Sequence, residues 1–348
     1  MNKILSIVVP TYNMEKYLER CLSSLIIERV NEIEVIVVND GSKDNSLLIA
    51  KKYESLYPYT FIIIDKPNGN YGSCINAALK VAKGEYIKIL DADDVFDTEN
   101  FSQMVGALFD IDVDMIISDY VEVYGDGRKK TISFDIPVNK NLDFIKIANN
   151  KDVCKLLMHS VTYKLENLLK IGYVQSEGIF YTDNEWTFLP ISTVKKAYYI
   201  NKSVYLYTLD REGQSVNCNV EKLHSMDNIN VSCSLLNANV SLRNTALDEH
   251  IKEYLNTRLY NRIRHNYKDC IVLSKCLDIN ELQILDDEIH KYDSDIYKKL
   301  NCELLSKPFF CFPYIKMWRS NHDSRILKSI IYLYNRYKRI KKHIRINF

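Results

Sequence analysis

The chain reads as an α/β protein, a doubly wound and mostly parallel sheet over about residues 1–220, followed by a helical region over 221–348. Two observations predict this. Five short apolar runs alternate with amphipathic stretches through the first 118 residues, and after about residue 220 the pattern turns to long, polar-faced helical spacing. The length of 348 residues, with 47% hydrophobic and 26% charged side chains, is enough for two units that each bury a core.

The runs are ILSIVVP (4–10), IEVIVVND (33–40), TFIIID (60–65), YIKILD (86–91) and MIISD (115–119). They are short, rich in β-branched residues and apolar on both faces, as parallel strands covered by helices must be. Helical spacing fills the gaps near 14–28, 43–57, 73–83 and 98–110. Within VEVYGDGRKKTISF, Asp126-Gly127 is a hairpin turn between strand-like flanks, so an antiparallel portion is expected to join the sheet there. No internal repeat or low-complexity stretch interrupts the chain.

Composition excludes several classes of function. The net charge is +1, and no basic stripe crosses the first 320 residues, so no nucleic-acid partner is expected. No segment approaches the ~20 apolar residues that span a bilayer, and the N-terminus lacks a leader's cleavage pattern; a cytoplasmic location follows as the expectation. Nine scattered cysteines show neither CxxC nor zinc-finger spacing, and they are read as small buried hydrophobes.

Ligands of doubly wound sheets bind beyond the carboxyl ends of the strands. Pro10-Thr11-Tyr12-Asn13 follows the first run, and NDGSKDNS (39–46) follows the second, where Asp40 can accept from a base N–H or cap the next helix. NGNYGSCIN (68–76) combines glycines with a helix start, which favours anions. The most informative element is YIKILDADD. Asp91, Asp93 and Asp94 crowd one strand end, and their mutual repulsion calls for a hard cation such as Mg²⁺ or Mn²⁺. An EF-hand does not fit, because its sixth position holds Phe96 and its twelfth Ser102. Downstream, EGIFYTDNEW (177–186) offers Asp183 as a general base or a helix cap, and YTLDREGQSV (207–216) offers Arg211 as a phosphate cation or a solvated surface charge. His159 is read as a structural histidine, with a place lining the acceptor side as the alternative.

Together, VVPTYN, VIVVNDGSKDNS, NGNYGSCINAAL, GEYIKILDADD and TDNEW resemble glycosyltransferase family two, inverting enzymes of the GT-A fold, over about residues 4–216. The resemblance implies a donor half over 1–118 and an acceptor half over 119–220. It implies a hexosyl- or N-acetylhexosaminyltransferase that uses a nucleotide-diphosphate sugar, most often a UDP-sugar, and a saccharide or lipid-linked saccharide acceptor of surface-polysaccharide type. It places Pro10, Thr11, Tyr12, Asp40, Asn76, Asp91, Ala92, Asp93 and Arg211 on the donor, Asp93 and Asp91 on the metal, Mn²⁺ or Mg²⁺, and Asp183 as the base. Two positions depart from the family pattern. Ile75 stands where many relatives have Arg, leaving Lys66 or Lys88 as substitutes, and Thr182 stands for the usual Glu, which leaves Glu185 or Glu177 as rival bases. The Gln-x-x-Arg-Trp signature of processive relatives is absent, so one sugar per encounter is expected. A nucleotidyltransferase would carry a glycine- and basic-rich loop after the first strand, which VVPTYN lacks. A catalytically silent nucleotide-binding scaffold is the other alternative. Finally, residues 324–348 hold eight Lys and Arg, no acid and interleaved apolar residues, a pattern suited to the anionic face of a membrane.

Overall fold

The computed structural model describes residues 3–210, 214, 218–273, 278–307, 310–322 and 324–346. In chain order the first part comprises β1 (Lys3–Thr11), α1 (Leu18–Ser23), β2 (Ile33–Asp40), α2 (Ser46–Leu56), β3 (Phe61–Lys66), α3 (Asn70–Leu79), β4 (Gly84–Ile89), β5 (Val95–Phe96), α4 (Thr98–Leu108) and β6 (Met115–Val123). It continues with β7 (Lys129–Ile132), β8 (Asn141–Asp143), α5 (Phe144–Ile147), β9 (Val161–Lys164), α6 (Leu165–Lys170), α7 (Asp183–Trp186) and β10 (Lys196–Thr208). The sheet runs β3-β2-β1-β4-β9-β6-β10-β5, with β7 on β6 and β8 on β10. The first four of these strands are parallel, as their two-sided apolar sequences require.

β9 is the departure from a simple parallel order. It lies antiparallel to both β4 and β6, and β10 returns parallel to β6. At four residues it is too short to show a period in the sequence. The hairpin expected at Asp126-Gly127 is present: β6 and β7 pair antiparallel, and Gly127 takes φ 85°. The helix expected near 14–28 shrinks to α1. Its upstream residues spend their backbone on the neighbouring loop instead: Met14 N donates to Ser46 Oγ at 2.8 Å and Glu15 N to Asp44 Oδ2 at 2.9 Å.

β2 is buried along its whole length, including Glu34 at its entrance. The cost of that burial is offset by hydrogen bonds from Ser6 Oγ at 2.6 Å and the backbone N–H groups of Lys83 and Gly84. Gly84 is obligatory there, since a Cβ would fall 2.4 Å from Ser6 N.

Contacts divide the chain into two units, Met1–Gln214 with Leu247–Tyr254, and Ser215–Ala246 with Leu255–Phe348. After α8 (Cys218–Leu223), α9 (Ser225–Arg243) and α10 (Glu249–Tyr267) come α11 (Ile279–Tyr292), α12 (Ser294–Leu300), α13 (Tyr314–Ser320) and α14 (Arg325–Ile346). α11 starts on a capping box formed by Asp278 and Glu281. In this second unit Arg319 distributes its guanidinium among Asp286, Tyr267 Oη, the Tyr297 carbonyl and Asn301, so a buried cation is left with partners on every side. A short antiparallel strand pair, β11 (Leu305–Lys307) with β12 (Phe310–Phe312), lies within the region expected to be mostly helical. The cysteines also divide: Cys21, Cys74 and Cys270 are buried as expected, whereas Cys302 and Cys311 are exposed.

Candidate active site

The loops that leave β1 and β2 are stitched to each other. Asn13, at φ 54°, takes a hydrogen bond from Lys43 N at 2.7 Å and donates its own N–H to Ser42 Oγ at 3.0 Å. The polar residues of NDGSKDNS therefore work first as scaffolding that presents Pro10, Thr11 and Tyr12 at the strand end. Thr11 is buried with its hydroxyl on the Val9 carbonyl, while Tyr12 is 46% exposed and presents an aromatic face. Asp40 is buried. Its Oδ1 accepts from Lys66 Nζ at 2.5 Å and Gly69 N at 2.9 Å, which ties the end of β2 to the loop before α3.

The DADD turn follows β4. Asp94 is held twice, by Tyr205 Oη at 2.8 Å and Thr208 N at 2.6 Å. Burial, then the charges of Asp93 and Asp91, push its carboxyl well above the usual carboxylate range. Asp91 Oδ1 accepts from Tyr71 Oη at 2.9 Å, and its backbone N–H donates to Tyr205 Oη. Ala92 is buried between these carboxylates, and the Asp93 carbonyl accepts from Arg20 at 2.8 Å. A single phenol, that of Tyr205, thus fixes the turn from below. The groups whose ligand atoms converge, all within 4.8 Å of one another, are Asp91, Asp94 and His159. Asp93, which the resemblance puts on the metal, is outside that set.

His159 precedes β9 and is buried among Tyr120, Tyr205 and Tyr207, its ring stacked on Tyr207 at 4.2 Å between centroids. Lys88 sits beside it, fully buried in β4, and donates to the carbonyls of His159 and Val161 at 2.8 and 3.1 Å. Burial, followed by the neighbouring Lys88 charge, lowers the His159 pKa to about 3, and burial lowers that of Lys88 to about 7. Lys88 is therefore a brace inside the sheet, and of the two lysines weighed as substitutes for the missing Arg, only Lys66 lies at the loop surface.

Asp183 opens α7 immediately after Tyr181, whose φ of 66° is a strained conformation for an aromatic residue. The loop beneath α7 is fully committed. Glu185 is buried and holds Ser176 through both carboxylate oxygens at 2.7 Å, and Glu177 accepts from Asn76 Nδ2 at 2.8 Å. Both rival bases thus serve the loop. Asn76 likewise spends its amide on Gln175 and Glu177, so this structure makes it a clamp on residues 175–177. Gly72 allows that clamp to close, since a Cβ there would lie 2.0 Å from the Ser176 carbonyl oxygen.

Two phenols report how these pieces meet. After the effect of burial, the charges of Asp91 and Asp183 both raise the pKa of Tyr71, and those of Asp91, Asp94, Asp183 and Asp93 all raise that of Tyr207. The downstream acidic motif and the DADD turn, some ninety residues apart in sequence, therefore both lie within electrostatic reach of the same two phenols. Arg211 lies outside the described residues. The sequence reading missed Tyr71, Tyr205, Tyr207 and Arg20, whose tyrosines and arginine look like ordinary helix and strand residues until the fold brings them together.

The family profile described as "Glycosyl transferase family 2" matches residues 6–165, the span that contains the first four motif blocks and the DADD turn. Those residues belong to glycosyltransferase family 2. The protein is accordingly a glycosyltransferase, and several relatives carry that name. An uncharacterised glycosyltransferase of Mycoplasma pneumoniae is 29% identical over 219 residues, covering 61% of this chain and 70% of its own length. Among solved structures, S. aureus TarS 1–349 in complex with UDP-GlcNAc shares the fold with a TM-score of 0.64 at 20% identity, over 84% of this chain and 82% of that one. The mannosyltransferase PcManGT from Pyrobaculum calidifontis, in complex with GDP-Man and Mn²⁺, shares it with a TM-score of 0.52 at 13% identity, over 96% and 85% of the two chains. Family 2 membership thus agrees with a sheet whose strand ends carry the polar residues.

Proposed function

We propose that this family 2 enzyme is an inverting transferase that moves a sugar from a UDP-sugar to a saccharide or lipid-linked saccharide hydroxyl, with Asp183 as general base. The observation that carries the reading is that the charges of Asp183 and Asp91 both act on the phenols of Tyr71 and Tyr207, one of which, Tyr71, is hydrogen-bonded to Asp91. A carboxylate opposite the metal-type carboxylates is where an acceptor hydroxyl must lose its proton as it attacks the anomeric carbon. Glu185 and Glu177 hold the loop, and in this reading Asp183, at the start of α7, is the base of that motif. Tyr12 supplies a face for the nucleobase, the unused acceptor capacity of Asp40 a partner for its N–H, and Asn76 acts on the donor through the loop it clamps.

The carboxylates of the DADD turn fit a hard divalent cation, because three acids crowded at one strand end are stabilised by one. Bound there, Mn²⁺ or Mg²⁺ neutralises the departing diphosphate. Asp91 and Asp93 hold it in this reading, and Arg20 keeps the turn's backbone in place. The TarS complex with UDP-GlcNAc and the mannosyltransferase complex with Mn²⁺ support the donor class and the cation by likeness of fold. A panel of activated sugars, assayed for release of nucleoside diphosphate with and without acceptor, tests the reading. Release from no member of the panel would overturn it.

The second unit offers a docking device for such acceptors. α14 contains no acid, and we infer that it holds the enzyme against an anionic membrane surface.

A further inference from the structure

We propose that His159 donates an imidazole nitrogen to the divalent cation together with Asp91 and Asp94, so that the site prefers Mn²⁺ to Mg²⁺. The inference rests on the reading that a cation binds at the DADD turn with Asp91 among its ligands; it puts Asp94 where that reading has Asp93, and adds a ligand that neither the motif nor its spacing indicates. Asp91, Asp94 and His159 each present a ligand atom, all within 4.8 Å of one another. Around an octahedral ion with bonds of about 2.1 Å, trans ligands stand about 4.2 Å and cis ligands about 3.0 Å apart, so the three side chains must draw together on the ion to reach bonding distance.

The histidine is built for one orientation. Its backbone carbonyl is pinned by Lys88, and its ring is wedged between Tyr207 at 4.2 Å and Tyr205 at 4.6 Å. The ring is 7% exposed and its Nδ1 has no hydrogen-bond partner among the described residues. A buried polar nitrogen without a partner is unfavourable, and the ring that carries it stands beside two carboxylates that a cation would join to it. The hydrogen bonds already made to the carboxylates leave room, because an ionised carboxylate has about four acceptor sites and Asp94 uses two in bonds to Tyr205 and Thr208. The donor set decides the ion. Mg²⁺ takes oxygen ligands and near-ideal octahedra, whereas imidazole nitrogen belongs with first-row transition metals.

The test is electron spin-echo spectroscopy of Mn²⁺ added to the full chain, alone and then with UDP, alongside Mn²⁺ and Mg²⁺ affinities measured by calorimetry. The expected result is a bound Mn²⁺ signal modulated by a ¹⁴N nucleus, with the modulation lost in His159→Gln. That variant should bind Mn²⁺ at least about tenfold more weakly while its Mg²⁺ affinity stays within about threefold. Bound Mn²⁺ without nitrogen modulation in the unaltered protein overturns the role of His159 and leaves the cation reading intact. No bound Mn²⁺ under either condition overturns both. The spectroscopic arm needs no variant, so misfolding of His159→Gln cannot obscure the outcome.

Discussion

At the scale of single residues, the site is a set of carboxylates held at different tensions by neighbouring phenols and amides. Asp183 is the acid whose replacement should separate chemistry from binding: Asp183→Asn is expected to lower kcat by roughly 10²–10⁴-fold with the donor KM little changed, and an equal rise in donor KM would move Asp183 into the donor site. Chelation should abolish transfer, with Mn²⁺ or Mg²⁺ restoring it. Asp93→Asn is expected to cost more than about 10²-fold, since a cation supplies several kcal/mol of charge stabilisation. Full activity in EDTA would sink the cation reading. Asp119 on β6 makes an electrostatic prediction. It is buried, accepts from Tyr199 Oη at 2.7 Å, and burial raises its carboxyl above the usual value. A raised acid binds its proton more tightly in the folded state, so the fold loses stability as pH rises from 3.8 through the raised value. Asp119→Asn keeps an acceptor for Tyr199 and should raise the melting temperature at pH 7, with the gain fading as pH falls below about 4. A gain that persists at pH 3 would show that charge is not its cause.

At the scale of elements, α3 and the 175–177 loop behave as one part. Asn76 bonds the loop, Gly72 lets it approach, and Glu185 closes it from the side of α7. Gly72→Ala must displace Ser176, so it should cost about 1–3 kcal/mol of stability and lower kcat by shifting α7. Gly106→Ala is the matched control, because a Cβ at that position in the middle of α4 meets nothing within 4 Å. It should stabilise by about 0.5–1 kcal/mol through lower unfolded-state entropy. Melting curves and turnover for the pair check both, and a Gly72→Ala enzyme as stable and active as the control would show that the loop adapts without strain.

At the scale of the whole molecule, the C-terminal helix is both packed and exposed. Leu327 and Tyr334 of α14 are buried, and Asn335 donates to the Val272 carbonyl, so removing the helix would strip packed surface from its own unit. Ile326, Tyr332 and Leu333 are more than half exposed on it, beside the exposed cations Arg325, Lys328 and Arg336. Each cation near anionic lipid contributes about 1 kcal/mol, which salt weakens. The full-length protein should therefore sediment with anionic vesicles at low salt and leave them at high salt, and reversing Arg325, Lys328 and Arg336 to Glu should weaken binding without lowering the melting temperature. Equal binding by that variant, or by the unaltered protein to neutral vesicles, would remove electrostatic docking. Among the described residues no helix is long and apolar enough to cross a membrane.

The amino-acid sequence by itself determined the parallel half of the sheet, because β1, β2, β3 and β4 are continuous apolar runs whose two buried faces leave no other arrangement. It also determined where chemistry would gather, since Asp91, Asp93 and Asp94 repel one another wherever the chain places them. Local patterning reaches no further than a dozen residues, and the rest was decided by tertiary contact. The four residues of β9 acquire a strand conformation only between β4 and β6, which is also what carries His159 to the acids. Asp40, Asn76 and Glu185 look like ligand-binding residues in isolation. Folding buries them, and the structure adds what the sequence does not show, that they also bond internally, Asp40 to Lys66, Asn76 to the 175–177 loop and Glu185 to Ser176. Asp183 and the DADD turn lie far apart in sequence; the fold sets both within electrostatic reach of Tyr71 and Tyr207, and packing gives the hydroxyls of Tyr71 and Tyr205 to Asp91 and Asp94, roles that carry no signal in the sequence.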